Sequence, residues 1–128
     1  MLTIGQYIRP ESLDEAYALC QKKNNVVLGG KLWLKMQHRS IGTAIDLCDL
    51  GLDRIEEDEN EYRIGAMVSL RALEQHAGLA ALTQGAIEEA VRHIVGVQFR
   101  NCATVGGSLF GRFGFSDVLT LFLALDAR

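Results

Sequence analysis

Apolar positions fall into two periods along this chain, and the changes of period mark its elements. Ile4 to Arg9 has the pattern of a short strand that ends at Pro10, and Ser12-Leu13-Asp14-Glu15 has the Ser-x-x-Glu form of a capping box. The spacing then predicts a helix from about Leu13 to Lys23, with Leu13, Ala16, Tyr17 and Cys20 on one face and a break at Asn24-Asn25. Val26-Val27-Leu28 is a short apolar run bounded by Gly29-Gly30, the pattern of a buried strand running into a glycine turn. Ala44 to Leu47 predicts another strand. Between Arg54-Ile55 and a strand from Tyr62 to Ala66, the acidic run Glu56-Glu57-Asp58-Glu59 with Glu61 predicts a solvated turn.

In the second half, Ser69 is placed to cap a short helix from Leu70 to His76. Thr83 is placed to open a second helix from Gln84 to about Val95, with Ala86, Ile87, Ala90, Val91 and Ile94 at helical spacing and Gly96 as its stop. After Val97 to Arg100, the stretch from Asn101 to Ser108 reads as a second small-residue and glycine turn. The last element is an apolar helix from Ser116 or Asp117 to Ala127, capped by those polar residues. Strands alternating with helices imply an α/β or α+β arrangement, without internal repeats or linker-like tracts.

Composition narrows the classes. The 128 residues carry 13 Lys and Arg against 16 Asp and Glu, a net charge of −3, with no basic block, so the electrostatic footprint of a nucleic-acid binder is missing. No run reaches the ~20 apolar residues of a membrane span and no secretory signal follows Met1, which makes the cytoplasm the default location. A chain of this length supports one core, as one domain or part of a larger one. Three cysteines at wide spacing offer neither a disulfide framework nor a metal knuckle. Cys20 and Cys48 have apolar neighbours and read as small buried residues.

The candidate chemistry lies in the glycines. Gly29-Gly30 and Gly106-Gly107 each follow a short apolar or extended run, and a loop without Cβ atoms lets consecutive backbone N–H groups converge on an anion such as a diphosphate. Neither pair is a phosphate fingerprint alone, and for each pair taken singly a tight turn in a small domain is the better explanation. His38, His76 and His93 are far apart and suggest no metal; no nucleophile-and-base pattern is present, so no catalytic residue is assigned. By periodicity Asp117 reads as a helix cap, and Trp33, beside Leu32 and Leu34, as core or interface more readily than as a stacking surface.

Taken together, Val97-Gln98-Phe99-Arg100-Asn101-Cys102-Ala103-Thr104-Val105-Gly106-Gly107-Ser108, then Ser116-Asp117 and the apolar run from Leu121 to Ala127, resemble the FAD-binding subunit of the molybdenum hydroxylases, the family of xanthine dehydrogenase and carbon monoxide dehydrogenase. Pro10 to Ala16 looks like that family's first helix, Val27-Leu28-Gly29-Gly30 like its first FAD loop, and Ile64-Gly65-Ala66 with Ser69-Leu70 like its next strand-helix corner. The resemblance covers essentially the whole chain. It implies an α+β FAD-binding fold of the PCMH (vanillyl-alcohol-oxidase-like) type, with an α/β-like first subdomain over residues 1–50 and the start of a second, incomplete subdomain over 51–128. The family's subunit is expected to be roughly twice this length.

Carried over by position, Leu28, Gly29, Gly30, Lys31 and Leu32 form the first FAD loop and Thr104, Val105, Gly106, Gly107 and Ser108 the second, both donating backbone N–H groups to the FAD pyrophosphate. Ile94 matches a residue lining the flavin site, and Asp117 a carboxylate that contacts FAD. The implied electron path runs from a molybdopterin cofactor through 2Fe-2S clusters, on partner molybdopterin and iron-sulfur subunits, to this flavin and on to NAD or another acceptor. Lys31-Leu32 replaces the family's usual Thr-Asp and offers a cation to the pyrophosphate instead. Gly114 stands where the family commonly has proline. The competing expectations are a non-enzymatic interaction module that docks on partner subunits without flavin, and a generic nucleotide-binding domain with coincidental glycine turns.

Overall fold

The computed structural model describes every residue from Met1 to Arg128. Its first part is a three-stranded, all-parallel sheet of β1 (Thr3–Ile8), β2 (Val26–Leu28) and β3 (Ser40–Asp46), in the order β1-β3-β2. Parallel neighbours need crossovers. Helix α1 (Leu13–Cys20) supplies the first, and the glycine loop with a single 3₁₀ turn at Leu34–Met36 supplies the second. Ile41, Ala44 and Ile45 of the central strand are buried, as are Ala16 of α1 and Leu28 of β2.

The second part begins with the hairpin of β4 (Ile55–Glu57) and β5 (Tyr62–Ile64), whose acidic turn is solvated as expected. Six short helices follow: α2 (Leu70–Glu74), α3 (Ala77–Leu82), α4 (Ala86–Val91), α5 (Val97–Cys102), α6 (Val105–Phe110) and α7 (Asp117–Ala124). The main apolar cluster lies wholly in this part, around Leu70, Leu73, Ile87, Val91 and Val118. Ser69 caps α2 as predicted, accepting from the Ala72 N–H.

Several expectations are corrected. Helix α1 stops at Cys20, and Leu13 and Tyr17 are 59% and 70% exposed, because the narrow sheet covers only Ala16 of that face. Cys20 and Cys48 are exposed. The helix expected from Gln84 to Val95 is shorter, α4 from Ala86 to Val91, because Gln84 and Gly85 adopt φ of 53° and 83°, and a helix that was not expected, α3, precedes it. Thr83 bridges them: its hydroxyl donates to the Leu79 carbonyl at 2.8 Å and accepts from the Ile87 N–H at 3.3 Å. Gly96 does not stop a helix; it caps α5.

The largest correction concerns the second glycine turn, which is helix. Thr104 caps α6, its hydroxyl accepting from the Gly107 N–H at 3.2 Å, and Gly106 and Gly107 sit inside the helix. Glycine lowers helix propensity, but packing overrides it here. A Cβ on Gly106 would stand 2.7 Å from the Ala66 carbonyl oxygen, so only glycine lets α6 lie against the strand-helix corner.

Candidate functional site

The two parts of the chain meet where the first glycine loop touches the start of α6. A Cβ on Gly30 would fall 2.1 Å from the Cys102 carbonyl oxygen, and one on Gly29 would fall 2.9 Å from the Thr104 hydroxyl. Both glycines therefore permit a close approach between loop and helix cap. Beside this contact opens a cleft of about 670 Å³, within the usual range of ligand sites. Gly29, Gly30, Lys31, Leu32, Ile94, Thr104, Gly107, Ser108 and Asp117 all line it. Leu28 is buried at the end of β2, and Val105 lies in the apolar cluster behind the cap.

The two glycine segments differ in what their amides do. The N–H groups of Val105, Gly106 and Ser108 donate to the carbonyls of Val68, Ala66 and Thr104, and that of Gly107 donates to the Thr104 hydroxyl. Whereas the expectation has the whole second segment donating to an anion, its amides from Val105 to Ser108 are engaged within the protein, and only that of Thr104 has no protein acceptor. By contrast, none of the six amides from Gly29 to Leu34 donates to another protein group, and all six residues line the cleft. Backbone amides without partners beside a cavity are the donors a diphosphate requires.

Lys31 does not extend its charge to that anion site. Its backbone is left-handed, with φ of 65°, and its ammonium lies 3.2 Å from Asp46 Oδ2. Asp46, buried at the end of the central strand, also accepts from the Tyr7 hydroxyl at 2.7 Å and from the Cys48 N–H at 3.2 Å. Burial alone would raise its carboxyl pKa, but the Tyr7, Lys31 and Cys48 donors outweigh burial and hold it below the usual carboxylate range. Sequence reasoning passed over Asp46. The available signal was a carboxylate at the end of an otherwise apolar central strand, where burial demands partners.

The depressed pKa sets a pH dependence. A carboxyl whose folded pKa lies below its unfolded value stabilises the fold above the unfolded value and loses that contribution as pH falls through the folded one. The stability difference between the wild type and Asp46→Asn is thus expected to be complete above the ordinary carboxylate range and to shrink as pH falls below it. Urea denaturation of both proteins across that range checks it; a difference independent of pH refutes it.

Asp117 is not the cap of its helix. Ser116 takes that place, accepting from the Leu119 N–H at 3.2 Å, and Asp117 stays exposed at the cleft. Ile94 is half-buried against the apolar cluster, and its carbonyl is anchored by Arg100 Nη1 at 3.1 Å. Trp33 is half-exposed over the cleft instead of lying in a core.

A loop of free amides, a capped glycine helix and an apolar cleft between them define a domain built to hold a diphosphate-containing cofactor. Residues 3–128 match the family model for the FAD binding domain in molybdopterin dehydrogenase, and the chain belongs to that family. FAD is the cofactor of this family. The chain is 33% identical over 129 residues to the uncharacterized protein YgfM of Escherichia coli (strain K12), covering 98% of this chain and 48% of that protein. A Cu,Mo-CO dehydrogenase in its cyanide-inactivated form superposes with a TM-score of 0.85 at 28% identity, over 98% of this chain and 46% of that one. The carbon monoxide dehydrogenase of Hydrogenophaga pseudoflava gives 0.71 at 29% identity, over 81% and 38%. The chain spans about half the length of the curated relatives it matches. The fold is accordingly that of the FAD-binding component of molybdenum hydroxylases, and no helix is long and apolar enough to cross a membrane.

Proposed function

We propose that this chain forms the FAD-holding part of an electron-transfer component in a molybdenum hydroxylase. The observation that carries this reading is the run of free amides from Gly29 to Leu34 along a cleft in a domain of this family. Those amides hold the FAD diphosphate, with residues 1–50 as the first subdomain and 51–128 as the start of the second. Leu28 fixes the loop to the sheet. Thr104, Val105, Gly106, Gly107 and Ser108 form the wall against which the loop is set. Ile94 presents an apolar side chain to the flavin, and the Asp117 carboxylate accepts a hydrogen bond from a ligand hydroxyl. When bound, FAD supplies the redox chemistry, while the protein orients it and excludes water.

In the fuller reading, a xanthine-dehydrogenase-like assembly, electrons arrive from iron-sulfur clusters on a partner subunit that also adjoins a molybdopterin subunit, and leave for NAD or another acceptor. Its support is the family membership and the order of the two glycine segments with Asp117. The cytoplasm remains the proposed location.

Incubation of the purified chain with FAD, followed by desalting, is expected to leave oxidised-flavin absorption bands on the protein. A colourless protein that is folded by circular dichroism would refute FAD binding by these residues.

A further inference from the structure

The free amides account for one wall of the cleft and leave another unexplained. Trp33, the one tryptophan of the chain, meets Phe99 edge-on with ring centroids 6.4 Å apart and Phe113 at 6.1 Å with tilted planes. Phe113 in turn stacks on Phe115 at 5.2 Å, with planes 16° apart. All four rings line the cleft, yet Trp33, Phe113 and Phe115 are 50%, 40% and 71% exposed. A cluster whose only task is packing buries its rings, since each Å² of apolar surface left in water forgoes about 25 cal/mol. Here the rings touch one another in edge-on, tilted and stacked pairs, and much of their area still faces solvent beside the cavity.

The amide run and the aromatic wall share a residue. The Trp33 N–H is one of the six free donors, so an anion gripped by this loop lies within a residue or two of the indole. Phe113 and Phe115 reach the same cleft from the segment joining α6 to α7, where Gly114 has open space around it. The wall is thus assembled from both parts of the chain.

We infer that Trp33, Phe113 and Phe115 form a ring-binding wall that stacks on the flat heterocycle joined to the diphosphate held by the amides of Gly29 to Leu34. The inference rests on the FAD reading of the cleft. A dinucleotide of this kind carries a heterocycle on each side of its diphosphate, isoalloxazine and adenine, and each has the π face that aromatic side chains prefer. The shared chemistry is the stacked heteroaromatic ring, and half-ligands distinguish the two.

The test is equilibrium dialysis of the whole chain with FAD, FMN and ADP, using the wild type, Trp33→Phe, Trp33→Leu and Phe113→Leu. Stacking of a base on an aromatic side chain is worth roughly 1–3 kcal/mol, so Trp33→Leu and Phe113→Leu are expected to weaken FAD about tenfold or more. Trp33→Phe keeps a π face and is expected to stay within about threefold of the wild type. The same loss should appear with only one half-ligand: with FMN if the flavin is stacked, with ADP if adenine is. Equal weakening of FMN and ADP would mean that the substitutions merely disturb the loop, and overturns the inference. Unchanged FAD affinity in both leucine variants also overturns it, with the FAD reading intact. Absence of FAD binding to the wild type overturns the reading and the inference together.

Discussion

Gly30→Ala is expected to lower the melting temperature of the chain by roughly 10 °C and to abolish retention of FAD on desalting. The new Cβ would stand 2.1 Å from the Cys102 carbonyl oxygen, 2.7 Å from its carbon and 2.9 Å from the Ala103 Cα. These are backbone atoms, and no rotamer change relieves the overlap. Either the glycine loop or the segment before α6 must move, at a cost near the upper end of the ~1–3 kcal/mol typical of overpacking. Retreat of the loop also pulls its free amides away from the cleft, so stability and cofactor affinity should fall together. Gly114→Ala is the matched control: nothing lies within 4 Å of its Cβ position and its φ is not in the left-handed region, so its melting temperature should stay close to wild type. Calorimetry of the three proteins decides the matter, and a Gly30→Ala protein that melts with the control would show that the loop is not clamped there.

The same glycine shows what the sequence reveals and what it withholds. Two glycine pairs after short extended runs are visible as punctuation, because few other residues tolerate such close approach. Ser12, Ser69 and Ser116 are equally visible as caps, since a side-chain acceptor before an apolar periodic run has few other uses. What each glycine is for depends on tertiary partners. Gly106 and Gly107 look like a loop because their intrinsic preference is for one; they are helical because the Thr104 hydroxyl caps them and Ala66 leaves no room for a side chain. The free amides of Gly29 to Leu34 are invisible to pattern reading, which knows that a donor exists but not whether it is satisfied. Asp46 and Trp33 were hidden for related reasons. One is a buried charge whose donors come from residues 15 and 39 positions away, and the other is an apolar residue left half in solvent.

Arg100→Met is expected to cost about 3 kcal/mol in global stability, because it strands a buried carboxylate. Arg100 and Glu74 have side chains only 6% and 9% exposed, and Arg100 Nε donates to Glu74 Oε2 at 2.8 Å. The Arg100 hydrogen bond is the foremost cause holding the Glu74 carboxyl below its ordinary range; burial opposes it, and Arg71 adds to it at 2.8 Å. Arg71 is more exposed and would still partly neutralise Glu74 in the variant, which keeps the expected loss at the lower end for a broken buried pair. Because the folded pKa is depressed, the penalty is complete above the unfolded value and shrinks as pH falls through the folded one. Replacing both residues by methionine removes the stranded charge and should recover most of the stability. It should not recover cofactor affinity to the same degree. Arg100 Nη1 also donates to the Ile94 carbonyl, so without it the Ile94 wall of the cleft loses its anchor in the single and double variants alike. Urea unfolding at pH 7 and pH 3, paired with FAD dialysis, separates the two roles. Full recovery of both quantities in the double variant would show that Arg100 serves the fold alone.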